Sequence, residues 1–320
     1  MPEEEKIYPF VQGGGVHESV LTEEVLQLSG AKENSEAIDA TLDGGGHAQE
    51  ILKIISPHGK LLGIEKDPEM VEVAKKRLSS FKNIKIVQGS FGDIEELAKE
   101  NGFLSPDIIF FDLGVSSHHF DKSTRGFSFR RDEDLDMRLD PGQSLTAKEI
   151  INNYSEEEIE KIFKNFGELR FSYKIASAIV KHRRQHEIAS TKQLADVIGA
   201  VSPLFNKPGY MAKAFQALRI AVNSELDVLS SALPKALKIL KGEGRILVIS
   251  FHSLEDRIVK NFFRNEASLG HLKIITKKPI VPSRNEVIKN KRSRSAKLRA
   301  GIKIFTPLNN PAKRDCPEGI

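Results

Sequence analysis

Three acids in this chain each close an apolar run and open a turn. Asp39 follows Ala37-Ile38, Glu65 follows Leu61-Leu62-Gly63-Ile64, and Asp112 follows Ile108-Ile109-Phe110-Phe111. Open parallel sheets collect ligands at the carboxyl ends of their strands, so an acid at such an end can accept hydrogen bonds from a ligand's hydroxyls or amines. After Asp39 come Ala40-Thr41-Leu42-Asp43-Gly44-Gly45-Gly46-His47. The glycines let backbone approach a ligand closely, and the helical pattern that follows offers unpaired N–H groups at its start. Glu65 lies about 20 residues further on, where nucleotide-binding βαβ units keep a ribose-binding carboxylate. Its plainer role is to cap the helix behind it. The third acid opens Asp112-Leu113-Gly114-Val115-Ser116-Ser117, a carboxylate followed by small residues, carbonyls and hydroxyls that together could border a pocket.

Several chemistries are excluded by spacing. The three glycines are adjacent rather than arranged as G-x-G-x-x-G, which argues against a dinucleotide fingerprint, and no Gly-Lys-Ser/Thr follows them as a phosphate loop requires. A serine nucleophile elbow is absent, and no His, Asp and Glu set has metal-ligand spacing, so no metal is expected. What remains is a single-nucleoside cofactor held by an acid and close backbone, which suits S-adenosylmethionine. The Asp112 pocket then has a definite task. An exocyclic amine is a poor nucleophile while its lone pair is delocalised into a ring. Acceptors that favour a tetrahedral nitrogen and hold it in line with a sulfonium methyl would supply several kcal/mol, the order expected of proximity effects. Asp112 is the candidate catalytic residue on this reading, with cofactor contact or turn capping as the alternative. Phe91 could lie against an adenine face or belong to the core. His47, at a helix start, and His119, just beyond the fourth strand, are within possible reach of the same ligand.

The elements that must position these groups alternate. Strands are expected at 60–65, 84–87 and 107–112, with helices opening at Asp67-Pro68 and running over 91–99, which argues for a parallel sheet covered on both faces. Thr22 is a plausible N-cap for a short helix before the glycine turn. From about 122 to 218 only helical patterns appear; the sheet then resumes with a helix over 225–240 and a strand over 245–251. Ser253 with Asp256 resembles a capping box, and two short runs, 272–276 and 301–305, could add an antiparallel pair. The expected organisation is a flexible 1–16, a discontinuous sheet domain of 17–121 and 219–305, an inserted helical domain of 122–218 on the substrate side, and a tail of 306–320.

Hydrophobic content of 39% and charged content of 29% are those of a globular protein with a real core. No apolar run approaches the roughly 18–20 residues that span a bilayer, the start lacks the order of a signal peptide, and Cys316 is the single cysteine; a cytoplasmic protein is expected. Net charge is +4, but ten Lys or Arg and one acid fall between Lys277 and Lys303, and Lys181-His182-Arg183-Arg184 forms a second block. Such clusters suit a phosphate backbone or a solvated surface.

Taken together these motifs closely resemble the RsmH (MraW) family of bacterial small-subunit ribosomal RNA cytosine-N4 methyltransferases, from about His17 to Ile304. The resemblance is carried by His17-x-Ser-Val-Leu, Asp39-x-Thr-x-x-Gly-Gly-Gly-His47, Asp112-Leu-Gly-Val-Ser-Ser117 and Arg125-Gly-Phe-Ser-Phe129. It continues through Leu135-Asp-Met-Arg138, Phe215-Gln-Ala-Leu-Arg-Ile220, Val222-Asn-Ser-Glu-Leu226 and Ser250-Phe-His-Ser-Leu-Glu-Asp-Arg257. It implies a Rossmann-like α/β S-adenosylmethionine-dependent methyltransferase sheet with an inserted all-helical domain. The reaction it implies is methyl transfer to N4 of a cytidine near the decoding site of small-subunit (16S) ribosomal RNA. Cofactor contacts would fall on Gly45, Gly46, His47, Glu65, Phe91, Asp112 and His119. The insert and basic segments would grip RNA of the small ribosomal subunit, with the oligomeric state left open. Four residues depart from the family pattern: Asp43 for glycine, Glu65 for aspartate, His119 for glutamine and Ala214 for threonine. Two other readings remain: the same chemistry on DNA or another RNA, or a non-catalytic RNA-binding protein with a vestigial cofactor pocket.

Overall fold

The computed structural model describes residues 19–204 and 209–305; the expectations for His17, for the first 16 residues and for the tail with Cys316 lie outside the described residues. Apolar runs along the chain line up as one seven-stranded sheet of β1 (Glu36–Asp39), β2 (Lys60–Glu65), β3 (Ile84–Gln88), β4 (Ile108–Asp112), β5 (Arg245–Ser250), β6 (Leu272–Ile274) and β7 (Lys297–Lys303). Their order is β3-β2-β1-β4-β5-β7-β6. The strands from β1 to β5 pair in parallel, with Ile38 opposite both Leu62 and Ile109, and Ile109 opposite Ile246. β7 runs antiparallel to β5 and β6. The chain moves outward through β1, β2 and β3, then returns to lay β4 on the other side of β1. That reversal makes the carboxyl ends of β1 and β4 the switch point where a Rossmann-like sheet binds its ligand.

Successive strand residues point to opposite faces, so the near-continuous apolar runs fill two cores. Ile38, Leu62, Ile109, Phe111, Ile246 and Val248 pack on one face with α4 (Ile94–Asn101), α11 (Glu225–Ile239) and α12 (Ser253–Ser268). Ala37, Leu61, Ile108, Phe110, Leu247 and Ile249 pack on the other with α1 (Thr22–Ser29), α2 (Gly46–Ile55) and α3 (Pro68–Arg77). Between β4 and β5 the chain forms α5 (Ser117–Asp121), α6 (Ala147–Asn153), α7 (Glu156–Asn165), α8 (Ser172–Arg183), α9 (Thr191–Val201) and α10 (Tyr210–Asn223). A third core, containing Ile150, Phe163, Ile179, Ile198 and Phe215, belongs to this helical part. α10 runs unbroken through the expected boundary at 218–219, and its Val222 still packs into the helical core.

Local departures have local causes. α1 is not capped by Thr22. Leu21, in a left-handed conformation at φ 56°, precedes the helix, and the Thr22 hydroxyl donates to the Ser19 carbonyl at 3.2 Å. α12 begins one residue earlier than the Ser253 cap implied. His252 is its N-cap and forms a capping box with Glu255, because the histidine Nδ1 accepts the Glu255 N–H. The helix expected over 91–99 splits into a 3-10 turn at Phe91–Asp93 and then α4, since the Ser90 hydroxyl accepts from Gly92 N–H at 3.1 Å. β7 starts at Lys297, before the apolar run. Two of its basic residues share Asp256, which lies 3.3 Å from Lys297 and 2.7 Å from Arg299. A final short helix, α13 (Arg284–Lys289), returns toward α1, where Glu286 accepts the Leu21 N–H at 2.8 Å.

Phe163 is fully enclosed in the helical core. Phe163→Ala is expected to cost about 3–5 kcal/mol of stability, read as a lowered urea midpoint with little change in slope.

Candidate functional site at the carboxyl ends of the strands

The glycine turn leaves β1 and enters α2. Its residues are fastened to strands on both sides: Ala40 N–H donates to the Phe110 carbonyl and Leu42 N–H to the Ile64 carbonyl, each at 2.8 Å. Gly45 sits at φ 77° as the residue before α2, a left-handed conformation that side chains disfavour. A Cβ there would meet Leu78 Cδ1 at 2.8 Å, and one on Gly46 would meet the Ser19 hydroxyl at 2.0 Å. Asp43 also lies left-handed at φ 48°, a region that aspartate tolerates better than most residues.

Around this turn the acids crowd together. The Glu65 carboxylate accepts the Asp43 N–H at 2.7 Å and the Asp67 N–H at 2.8 Å, so it holds the glycine turn and the approach to α3 at once. Burial, followed by the charge of Asp43, pushes its pKa up to about 8. Asp39 is 1% exposed and accepts the Thr41 N–H at 3.3 Å. Burial raises it to about 7, against the lowering by His47 and the Thr41 N–H, with Asp112 and Asp43 adding to the rise. The Thr41 hydroxyl in turn accepts the Asp112 N–H at 2.5 Å, which ties the turns after β1 and β4 together.

His47 Nε2 lies 3.4 Å from Asp112 Oδ2, and the imidazole packs edge-on against Phe110 at 4.7 Å between centroids. Both ring nitrogens of His47, together with Asp112 Oδ1 and His119 Nδ1, are buried without a hydrogen-bond partner. Buried polar groups are ordinarily satisfied, so a concentration of unpartnered donors and acceptors at one rim marks a place for a polar ligand. The close backbone of Gly45 and Gly46 fits the same group.

The other expected residues divide. Phe91 packs edge-on against Phe111 at 5.8 Å, beside the end of β4. His119 gives its Nε2 to Asp67 at 2.7 Å, leaving only Nδ1 toward any ligand. Asp67 itself is fully buried, caps α3 by accepting the Glu69 N–H at 2.9 Å, and also pairs with Arg125. Burial is the largest influence on its carboxyl and acts upward, but the hydrogen bonds from His119 and Arg125 prevail and hold it below the usual range. Arg125 continues to the carbonyls of Arg138 and Leu139, both at 3.0 Å. Thr41, Asp67 and Arg125 were not among the expected site residues. Thr41 and Arg125 stood inside quoted motifs, whereas Asp67 read only as a helix start.

A second polar cluster faces this rim from α10, α11 and the start of α12. Glu225, His252 and Glu255 bring their ligand atoms within 4.8 Å of one another. Both Glu225 oxygens accept from Arg219 at 2.8 Å, and His252 Nδ1 accepts the Glu255 N–H, while His252 Nε2, 3.1 Å from Glu255 Oε1, is buried without a hydrogen-bond partner. Among the described residues, no helix is long and apolar enough to cross a membrane.

A mixed sheet whose parallel part carries a glycine turn after its first strand, a carboxylate after its second and an acid at its switch point belongs to the class of S-adenosylmethionine-dependent methyltransferases. Within that class the chain belongs to the MraW methylase family, which it matches over residues 15–304. It is 44% identical to the ribosomal RNA small subunit methyltransferase H of Halothermothrix orenii over 307 residues, covering 90% of this chain and 99% of that protein. It is likewise 45% identical over 292 residues to the protein of the same name from Sulfurihydrogenibium sp., with the same coverage of both chains.

Removing the Asp67 carboxylate leaves His119 and Arg125 without their shared partner. Asp67→Ala is expected to cost about 3–5 kcal/mol near neutral pH, as breaking a buried pair does. The sign with pH follows from the lowered carboxyl. Its stabilisation is complete above the unfolded value of about 3.9 and is lost as pH falls through the lower folded value. Urea midpoints of wild type and variant should therefore differ at pH 7 and converge in acid.

Proposed function

We propose that this chain transfers a methyl group from S-adenosylmethionine to the exocyclic N4 amine of a cytidine in small-subunit ribosomal RNA near the decoding site, in the cytoplasm. The observation that carries the chemistry is Asp112. Its carboxylate stands at the switch point with one oxygen unpartnered and the other beside His47. The family and the printed activity of its relatives support the substrate class.

The donor supplies a methyl on a sulfonium, an electrophile that needs no further activation. Glu65 presents the carboxylate of the ribose side while its two backbone bonds keep it from swinging away. Gly45 and Gly46 would hold the methionine part of the cofactor at the start of α2, with His47 as a further contact, and Phe91 would contact its base. Asp112 accepts a hydrogen bond from the cytosine amine, drawing the nitrogen toward a tetrahedral geometry that localises its lone pair. The cofactor would supply the methyl group, with the N–C bond forming as the C–S bond breaks and its electrons staying on sulfur. The proton that N4 then sheds has Asp112 as its nearest acceptor. Convergent acids also suit a cation, because Asp112 and Asp43 add to the rise at Asp39, as Asp43 and Asp67 do at Glu65, and a positive group among them would oppose it. The helical part between β4 and β5 forms the substrate side.

Labelled S-adenosylmethionine offered with unmodified small subunits, naked ribosomal RNA and DNA tests the reading. Label recovered as N4-methylcytidine from ribosomal substrate alone is the expected result, and label in DNA would replace the substrate while keeping the chemistry. Cofactor binding without transfer to any of them, beside an active family member, would favour a binding protein. In the same assay Asp112→Asn is expected to lower kcat by about 10²-fold or more, the range of a lost acid–base group. Unchanged transfer would remove Asp112 from the mechanism.

A further inference from the structure

The helix α12 and the segment that follows β6 enclose a cleft of about 510 Å³ on the outer edge of the sheet, lined by Lys260, Arg264, Lys277, Lys278 and Arg299 among others. No acid lines it. Arg299 is already neutralised by Asp256. The other four behave differently: among the described residues none of Lys260, Arg264, Lys277 or Lys278 forms an ion pair or a side-chain hydrogen bond. Lys53, Lys75 and Lys161, by contrast, each pair with a glutamate of their own helix. Four unpaired cations around one concave surface set up a positive potential that low-dielectric walls focus.

The direction of the cleft is as informative as its charge. α12 starts at the ligand rim with Ser253, so Lys260 lies about 10 Å down the helix. On the opposite wall, Thr276 N–H bonds the Ala300 carbonyl, and Ile280 exchanges two hydrogen bonds with Leu298. Ala300 stands opposite Leu247 and Leu298 opposite Ile249 in the register of β5 and β7. The segment carrying Lys277 and Lys278 therefore climbs from mid-sheet toward the end of β5, where His252 begins the rim. Both walls converge on the site.

We propose that this cleft is a phosphate track, along which the sugar–phosphate backbone of the RNA strand runs as its target nucleotide enters the rim. The proposal rests on the RNA reading above. An extended anion of regular charge spacing matches a row of unpaired cations, and Lys and Arg recognise it without reading sequence. The sequence showed Lys277 and Lys278 as members of a basic block, but their meeting with Lys260 and Arg264 is a property of the fold.

The test compares wild type with the quadruple variant Lys260→Gln, Arg264→Gln, Lys277→Gln and Lys278→Gln. A charge-matched control carries Lys32→Gln, Lys76→Gln, Lys82→Gln and Lys99→Gln, all at exposed positions elsewhere. Binding of unmodified small subunits and of a ribosomal RNA fragment is measured across salt concentrations, alongside calorimetric S-adenosylmethionine affinity and methyl transfer. For the cleft variant we expect the slope of log K against log salt to fall by about 2–3, the loss of up to four phosphate contacts on a single strand. KM for RNA should rise at least tenfold, with cofactor affinity and kcat close to wild type and with the control variant unaffected. A cleft variant with an unaltered slope, or a control with an equal loss, overturns the track while leaving the methyltransferase reading intact. Wild type that binds the cofactor but neither binds nor methylates ribosomal RNA overturns both.

Discussion

One buried carboxylate holds three parts of this molecule in register. Asp67 has no solvent exposure, and it caps α3, accepts from His119 and pairs with Arg125. Taking a carboxylate out of water costs several kcal/mol, which the interior returns only when its lone pairs are filled with good geometry. Here the partners come from the end of β2, from the turn after β4 and from the entry to the helical part. Arg125 then spends its remaining donors on the Arg138 and Leu139 carbonyls. Asn223 completes the frame from α10, donating to the Met137 carbonyl at 2.8 Å and accepting the Leu139 N–H at 2.9 Å. Ligand rim and helical part are thereby positioned by the same few polar groups.

The rim gathers acids that would repel one another in any other setting. Asp39 and Glu65 are both pushed well above the ordinary carboxyl range, chiefly by burial. A raised carboxyl has the opposite pH sign to Asp67: its burial weakens the fold as pH rises from the unfolded value of about 4 through the folded one. Such a cost at one rim is typical of a functional site, where local stability is exchanged for affinity. A cationic ligand between the acids would relieve it.

Much of the fold was legible in single stretches. The strand runs, the glycine turn with its left-handed Gly45, and the long helical interval between β4 and β5 all follow from residue patterns within about a dozen positions. The departures sit at element ends. Thr22 and Ser253 have the right chemistry for caps, yet Leu21 and His252 take those places, with the Leu21 N–H held by Glu286 and the Phe251 and His252 N–H groups held by Glu255. His119 illustrates the limit within the candidate site. Its place after the fourth strand was evident, whereas the loss of its Nε2 to Asp67, 52 residues earlier, was not.

By itself the sequence determined which residue types close each strand, where glycines let backbone approach a ligand, and which family the chain resembles. Those properties are local, set by side-chain shape and hydrophobic period along a few residues. Tertiary structure alone decided which acids share a field, which histidine nitrogen remains for a ligand, that Glu225 pairs with Arg219 close to His252 and Glu255, and that four cations line one cleft. Each of these depends on distances between groups far apart in the chain. Coulomb energies and hydrogen bonds fall off within a few ångströms, so they exist only once the sheet order has brought those groups together.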